Sequence, residues 1–128
     1  MYSASGKLSV LVVDDSEINR TVLAEIVGSL GGTVTLAEDG AKAVKAAERT
    51  AFDLVLMDIA MPTMDGIQAT RQLRRNGVVC PIVAVTAHAR RSALDSLSQL
   101  GFDDLIEKPV TAPPIAKALD LARANHLG

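Results

Sequence analysis

The sequence predicts an α/β fold: five strand–helix units in strict alternation around a parallel five-stranded sheet. Two observations predict it. Short runs of β-branched and aliphatic residues alternate with longer segments of helical period along nearly all of the 128 residues. Each run also stops abruptly at a polar residue. Unbroken apolar runs mark strands covered on both faces, and strands joined by helical crossovers pair in parallel between helix layers.

The elements follow in order. Residues 8–13 form the first run and end at Asp14 and Asp15. Ser16 is placed to cap a helix whose inner face carries Ile18, Val22, Leu23, Ile26, Val27 and Leu30. Gly31 and Gly32 stop it. Residues 33–37 make a second strand, and Asp39-Gly40 opens a helix with Ala43, Val44 and Ala47 inward. Residues 54–57 make a third strand ending at Asp58. Met61-Pro62 then breaks regular structure, and Asp65 caps a helix with Ile67, Thr70 and Leu73 inward. Residues 82–85 form a fourth strand ending at Thr86, followed by a helix with Leu94, Leu97 and Leu100 at three-residue spacing, stopped by Gly101. Residues 104–107 form a short fifth strand ending at Lys108-Pro109. Thr111 and the proline pair 113–114 start the last helix, where proline is tolerated in the first turn, with Ile115, Ala118, Leu119 and Ala122 inward.

Composition narrows the function. The length suits one domain, with a flexible or disordered segment at 1–7, the folded domain at 8–125 and a tail at 126–128. Apolar residues at 48% and charged residues at 22% are the balance of a globular chain. A net charge of −2 argues against a dedicated nucleic-acid binder. The aromatic residues are Tyr2, Phe52 and Phe102, with no Trp, so stacking platforms for single strands are lacking. Cys80 is the single cysteine, which excludes a disulfide framework and a thiolate zinc site; beside Pro81 in an apolar run it reads as a buried, inert thiol. Residues 1–7 hold no apolar signal core, and no stretch approaches the roughly 20 apolar residues of a membrane helix. A cytoplasmic protein without membrane contact is expected.

In open parallel sheets the reactive crevice lies beyond the carboxyl ends of the strands, where strand order reverses. Asp14, Asp15, Asp58, Thr86 and Lys108 all stand at such ends. Singly, each has a plain alternative as a helix cap or a solvated loop residue. Together they describe one edge. Carboxylates about 4 Å apart repel by about 4 kcal/mol at an effective dielectric near 20, so either one of them protonates or a cation enters. Magnesium suits one or two carboxylates, waters and phosphate oxygens. A carboxylate can also accept a phosphoryl group as a nucleophile, with a metal, an ammonium and a hydroxyl neutralising the equatorial oxygens. Asp58, Lys108 and Thr86 fit nucleophile, cation and hydroxyl.

These segments resemble the receiver domains of two-component response regulators. The resemblance is carried by Leu11-Val12-Val13-Asp14-Asp15, by the run from Leu56-Met57-Asp58 through Ile59-Ala60-Met61-Pro62-Thr63-Met64 to Asp65-Gly66, by Ala84-Val85-Thr86-Ala87, and by Lys108-Pro109. It spans nearly the whole chain. It implies a flavodoxin-like (βα)5 three-layer sandwich with sheet order 2-1-3-4-5. It implies Asp58 as phosphoacceptor and Mg2+, with Mn2+ as a substitute, on Asp14, Asp15, Asp58 and the backbone carbonyl of Ala60. Thr86 and Lys108 would contact the phosphoryl group, and the Lys108-Pro109 peptide would be cis. The implied protein is no enzyme on other substrates but a phosphoacceptor that catalyses its own phosphorylation and dephosphorylation. It would be a monomer or weak dimer.

The segments Asp15-Ser16-Glu17-Ile18-Asn19-Arg20 and Thr86-Ala87-His88-Ala89 further resemble receivers fused to hybrid sensor histidine kinases. The implied partners are a histidine kinase, a histidine phosphotransfer domain, or both. One departure stands out: Leu105 occupies a position three before the lysine where the family commonly has Tyr or Phe, so the aromatic rotamer switch cannot operate as usual. His88 reads either as a residue at the mouth of the site or as a solvated first-turn residue, and His126 as terminal and bland. The arginine pairs 74–75 and 90–91 read as solvated helix faces or as contacts for an acidic partner. The alternative function is a phosphate-independent pseudo-receiver that only binds proteins. A small-substrate phosphohydrolase is disfavoured, because no second acid follows Asp58 at short spacing.

Overall fold

The computed structural model describes residues 7–59, 66–87 and 91–127, with side chains for all of these except 91–94, 126 and 127. The elements are β1 (Ser9–Val13), α1 (Glu17–Ser29), β2 (Thr33–Ala37), α2 (Gly40–Arg49), β3 (Leu54–Asp58), α3 (Gly66–Arg75), β4 (Ile82–Thr86), α4 (Arg91–Gln99), β5 (Asp104–Glu107) and α5 (Ala112–Leu127). The five strands form one sheet in the order β2-β1-β3-β4-β5, every pair parallel. This is the expected order. It reverses between β1 and β3, so the ends of those strands flank the switch point.

Alternation along the strands divides the core in two. Val10, Val12, Leu54, Leu56, Val83 and Val85 face α1 and α5. Leu11, Val13, Val55, Met57, Ile82 and Ala84 face α2, α3 and α4. β3 and β4 are buried throughout, as strands with helices on both sides must be. The inner faces of α5 and of α3 hold as expected: Ile115, Ala118, Leu119, Ala122, Thr70 and Leu73 are all buried, with Ile67 packed partly against the same core.

α1 departs from its expected inner face. Leu23 and Val27 are buried and Ile26 and Leu30 pack partly, but Ile18 is 75% and Val22 38% exposed. The helix touches the sheet along a stripe narrower than its apolar pattern, so its first turns leave two aliphatic side chains in solvent. α5 runs to Leu127 and takes in two of the three residues expected as a tail, since nothing between Ala116 and His126 breaks a helix. The expectations for residues 1–6, for Met61-Pro62, for Asp65 as a cap, and for Arg90 and the side chains of Arg91, Leu94 and His126 lie outside the described residues.

Local chemistry sets the element ends. Ser16 Oγ accepts from the Asn19 N–H at 3.3 Å, and Asp39 Oδ1 from the Lys42 N–H at 2.8 Å; each satisfies an orphan donor of a helix start. After α1, Gly31 takes φ +91°, a left-handed turn favouring glycine. Arg74 corrects the expectation of a solvated arginine pair. Its guanidinium donates to the carbonyls of Gly101, Val78 and Cys80 and to Asp103 Oδ2, at 2.8–3.0 Å. It ties the turn after α3 to the turn after α4. Arg75 stays exposed and donates to Gln72 Oε1 within its own helix.

Candidate functional site

The carboxyl edge of the sheet collects the expected residues. Asp14 directly follows β1, Asp58 ends β3, Thr86 ends β4 and Lys108 directly follows β5. β5 is drawn to β4 there by the Lys108 N–H, which donates to the Thr86 carbonyl at 2.8 Å. One carboxylate oxygen from each of Asp14, Asp15 and Asp58 lies within 4.8 Å of the others. Asp14 and Asp58 are buried and Asp15 is exposed, so the cluster has a floor of two carboxylates and one at the rim. Lys108 Nζ reaches in from the far side, 3.1 Å from Asp14 Oδ2 and 3.6 Å from Asp58 Oδ2. Thr86 is buried at the same edge.

Three carboxylates facing one ammonium leave excess negative charge in a partly dry place, where repulsion is poorly screened. The two oxygens of Asp14 are treated differently. Oδ1 accepts from the Ser16 N–H at 2.9 Å. Oδ2 is fully buried without a hydrogen-bond partner; Lys108 Nζ lies at ion-pair distance, but off the geometry of a hydrogen bond. A buried carboxylate oxygen left so is costly. A hard divalent cation with oxygen ligands would satisfy it and neutralise the cluster, so the donor set fits Mg2+. The Ala60 carbonyl and His88 lie outside the described residues.

Two contributors were not singled out for a role at the sequence level. Arg20 Nη1 donates to the Asp14 backbone carbonyl at 2.8 Å. Gly66 packs its backbone so closely on the end of β3 that a Cβ would sit 2.1 Å from the Asp58 carbonyl oxygen and 2.7 Å from Ile59 Cα. Both fall inside quoted motif segments, but apolar periodicity carries no signal for either. The cavities do not mark this edge strongly. One of about 440 Å3 opens at the other end of the sheet beside Phe52, Val78 and Cys80. Its lining lacks convergent charged groups apart from Asp53, whose carboxylate is engaged by the Ser9 N–H at 2.7 Å. A smaller hollow of about 140 Å3, lined by Val22, Leu23, Lys108 and Pro109, shares Lys108 with the site.

Residues 10–120 match the family model described as the response regulator receiver domain. The chain is 39% identical over 112 residues to sensor histidine kinase RcsC of Salmonella typhi, covering 88% of this chain and 12% of that protein. It is 43% identical over 115 residues to sensor protein GacS of Pseudomonas syringae, covering 86% of this chain and 13% of that one. The chain therefore spans about an eighth of the length of these relatives. Among solved structures, the receiver domain of a sensor histidine kinase from Pseudomonas aeruginosa superposes with a TM-score of 0.79 at 38% identity, covering 91% of this chain and 96% of that one. That structure holds a magnesium ion coordinated in its active-site cleft.

Proposed function

Because the chain belongs to the response regulator receiver domain family, we propose that it accepts a phosphoryl group on Asp58 from a phosphohistidine and relays it. The observation that carries this reading is the convergence of three carboxylates and Lys108 around the unsatisfied Asp14 Oδ2. Asp14, Asp15 and Asp58, with the Ala60 carbonyl, would hold Mg2+, with Mn2+ as a substitute. Bound there, the ion supplies charge neutralisation for the phosphoryl oxygens.

The chain's own groups supply the rest. An Asp58 carboxylate oxygen attacks phosphorus; the P–O bond forms as the P–N bond to the donor imidazole breaks, and the imidazole leaves with the electron pair. Burial of Asp58 at the floor of the site limits the access of water to the acyl phosphate. The Lys108 ammonium, already 3.6 Å from Asp58, pairs with the transferred group, and the Thr86 hydroxyl donates to it. Hydrolysis of the acyl phosphate returns the carboxylate. The protein is thus its own substrate rather than a catalyst for others.

The donor is a histidine kinase or a histidine phosphotransfer domain in the cytoplasm. Sensor kinase relatives support this, as do the exposed side chains of Ile18 and Val22 on α1, Val22 also lining the hollow at Lys108. The net charge of −2 supports a partner other than nucleic acid. No described helix is long and apolar enough to cross a membrane. Residues 8–125 form the functional unit, acting as a monomer or weak dimer.

Intact-protein mass after incubation with acetyl phosphate and Mg2+ tests the reading. One added phosphoryl group is expected, absent from Asp58→Asn and absent with chelator. No adduct, together with no response to beryllofluoride in a folded protein, would overturn it in favour of a phosphate-independent interaction module.

A further inference from the structure

The loop between β1 and α1 carries two of the three carboxylates, and it is anchored at Asp14 from three directions. The Asp14 N–H donates to the Ala37 carbonyl at 3.1 Å. Its Oδ1 accepts from the Ser16 N–H at 2.9 Å. Its carbonyl accepts from Arg20 Nη1 at 2.8 Å. The first contact uses backbone groups that any sequence would offer there, and the second needs only the Asp14 carboxylate and a backbone N–H two residues on. The third needs a long cationic side chain one helical turn beyond the cap, and the Arg20 N–H itself closes that turn on the Ser16 carbonyl at 2.9 Å. Helical side chains lean toward the helix start, which lays the half-buried guanidinium back over the loop. A cation so near the start of a helix gains nothing from the helix dipole; the contact with Asp14 is what it gains.

We propose that Arg20 is a positioning residue for the cation site. It clamps the Asp14 carbonyl, so that Oδ2 of Asp14 and the carboxylate of Asp15 face the site before an ion arrives. The inference rests on the phosphoacceptor reading. It has a sign that distinguishes it from simple electrostatics. By charge alone, removing Arg20 from the neighbourhood of a cation site tightens Mg2+ binding. Removing a clamp on the ligand loop weakens it.

The experiment is Mg2+ titration by calorimetry of the wild type, Arg20→Met and Arg20→Lys, with hydrogen exchange at the Ser16 amide in metal-free protein. Arg20→Met keeps the aliphatic stem without a donor, and Arg20→Lys keeps one donor. Loss of an outer contact to a ligand commonly costs about tenfold in metal affinity; that weakening is expected for Arg20→Met, with faster Ser16 exchange and recovery of both in Arg20→Lys. Unchanged or tighter binding by Arg20→Met, or equal weakening by both variants, would overturn the proposal. Should Arg20→Met not fold, Arg20→Leu, which also lacks a donor, replaces it under the same criteria. A wild type that binds no Mg2+ would instead defeat the phosphoacceptor reading, and Ser16 exchange would still show whether Arg20 holds the loop: unchanged exchange in Arg20→Met would overturn the clamp itself.

Discussion

At the scale of single residues, the site is a balance between charge and position. Asp14 is held at its N–H, its carbonyl and Oδ1, leaving Oδ2 ion-paired with Lys108 but without a hydrogen bond. Asp58 is positioned by a different device, the absence of a side chain on Gly66. A Cβ there would overlap the Asp58 carbonyl, and backbone on both sides of the clash leaves no flexible group to yield. Gly66→Ala must therefore displace the end of β3 or the start of α3. Overpacking of this kind costs about 1–3 kcal/mol, measurable by urea denaturation. The acetyl phosphate adduct on Asp58 should form more slowly in the folded variant. A folded Gly66→Ala protein phosphorylated at the wild-type rate would show that α3 gives way without moving Asp58.

At the scale of elements, α1 does two jobs with two faces. Leu23 and Val27 bury against the sheet, while Ile18 and Val22 stand exposed, Val22 lining the hollow that Lys108 and Pro109 also line. An aliphatic pair in solvent costs little in folding, because both side chains are hydrated in the unfolded chain as well. Under the proposed function, its use would lie in contact with the phosphoryl donor. Ile18→Asp should leave the melting temperature within a few degrees of wild type and leave phosphorylation by acetyl phosphate unchanged. Transfer from a phosphorylated histidine phosphotransfer domain should fall about tenfold or more, in line with the loss of one central interface anchor. Equal rates with the protein donor would remove α1 from the docking surface.

At the scale of the molecule, stability and chemistry occupy opposite ends of the sheet. The far end holds Cys80, buried beneath the turn after α3. Burial pushes its thiol up from the ordinary 9.0 to about 11, with the Arg74 guanidinium opposing the shift. The folded state thus keeps a proton that the unfolded chain gives up. Stability linked to this thiol is whole below about pH 9 and falls as pH rises toward 11, by about 2 kcal/mol over the interval. Denaturation across that range should show a shallower loss for Cys80→Ala than for wild type. Parallel slopes would mean that the thiol ionises as easily in the folded protein as in the unfolded chain.

The sequence alone determined the five strand–helix units, their polar strand ends and therefore the residues that meet at one edge. Strand and helix periods are local, and the crevice rule for parallel sheets turns local endings into a shared place. Asp14, Asp15, Asp58, Thr86 and Lys108 were legible for that reason, and recognising the motif segments around them supplied the sheet order. Only the tertiary structure decided which apolar residues of α1 are spent on the core, because the width of the buried stripe depends on how the helix lies across the sheet. Only it revealed Asp53 receiving the Ser9 N–H, 44 positions away, and Arg74 closing on the Gly101 carbonyl, 27 positions away. The clamp of Arg20 on Asp14 is likewise invisible to periodicity, though only six positions separate the pair. These are polar side-chain contacts set by direction in space, and a pattern of apolar spacing records burial but not the direction in which a donor points.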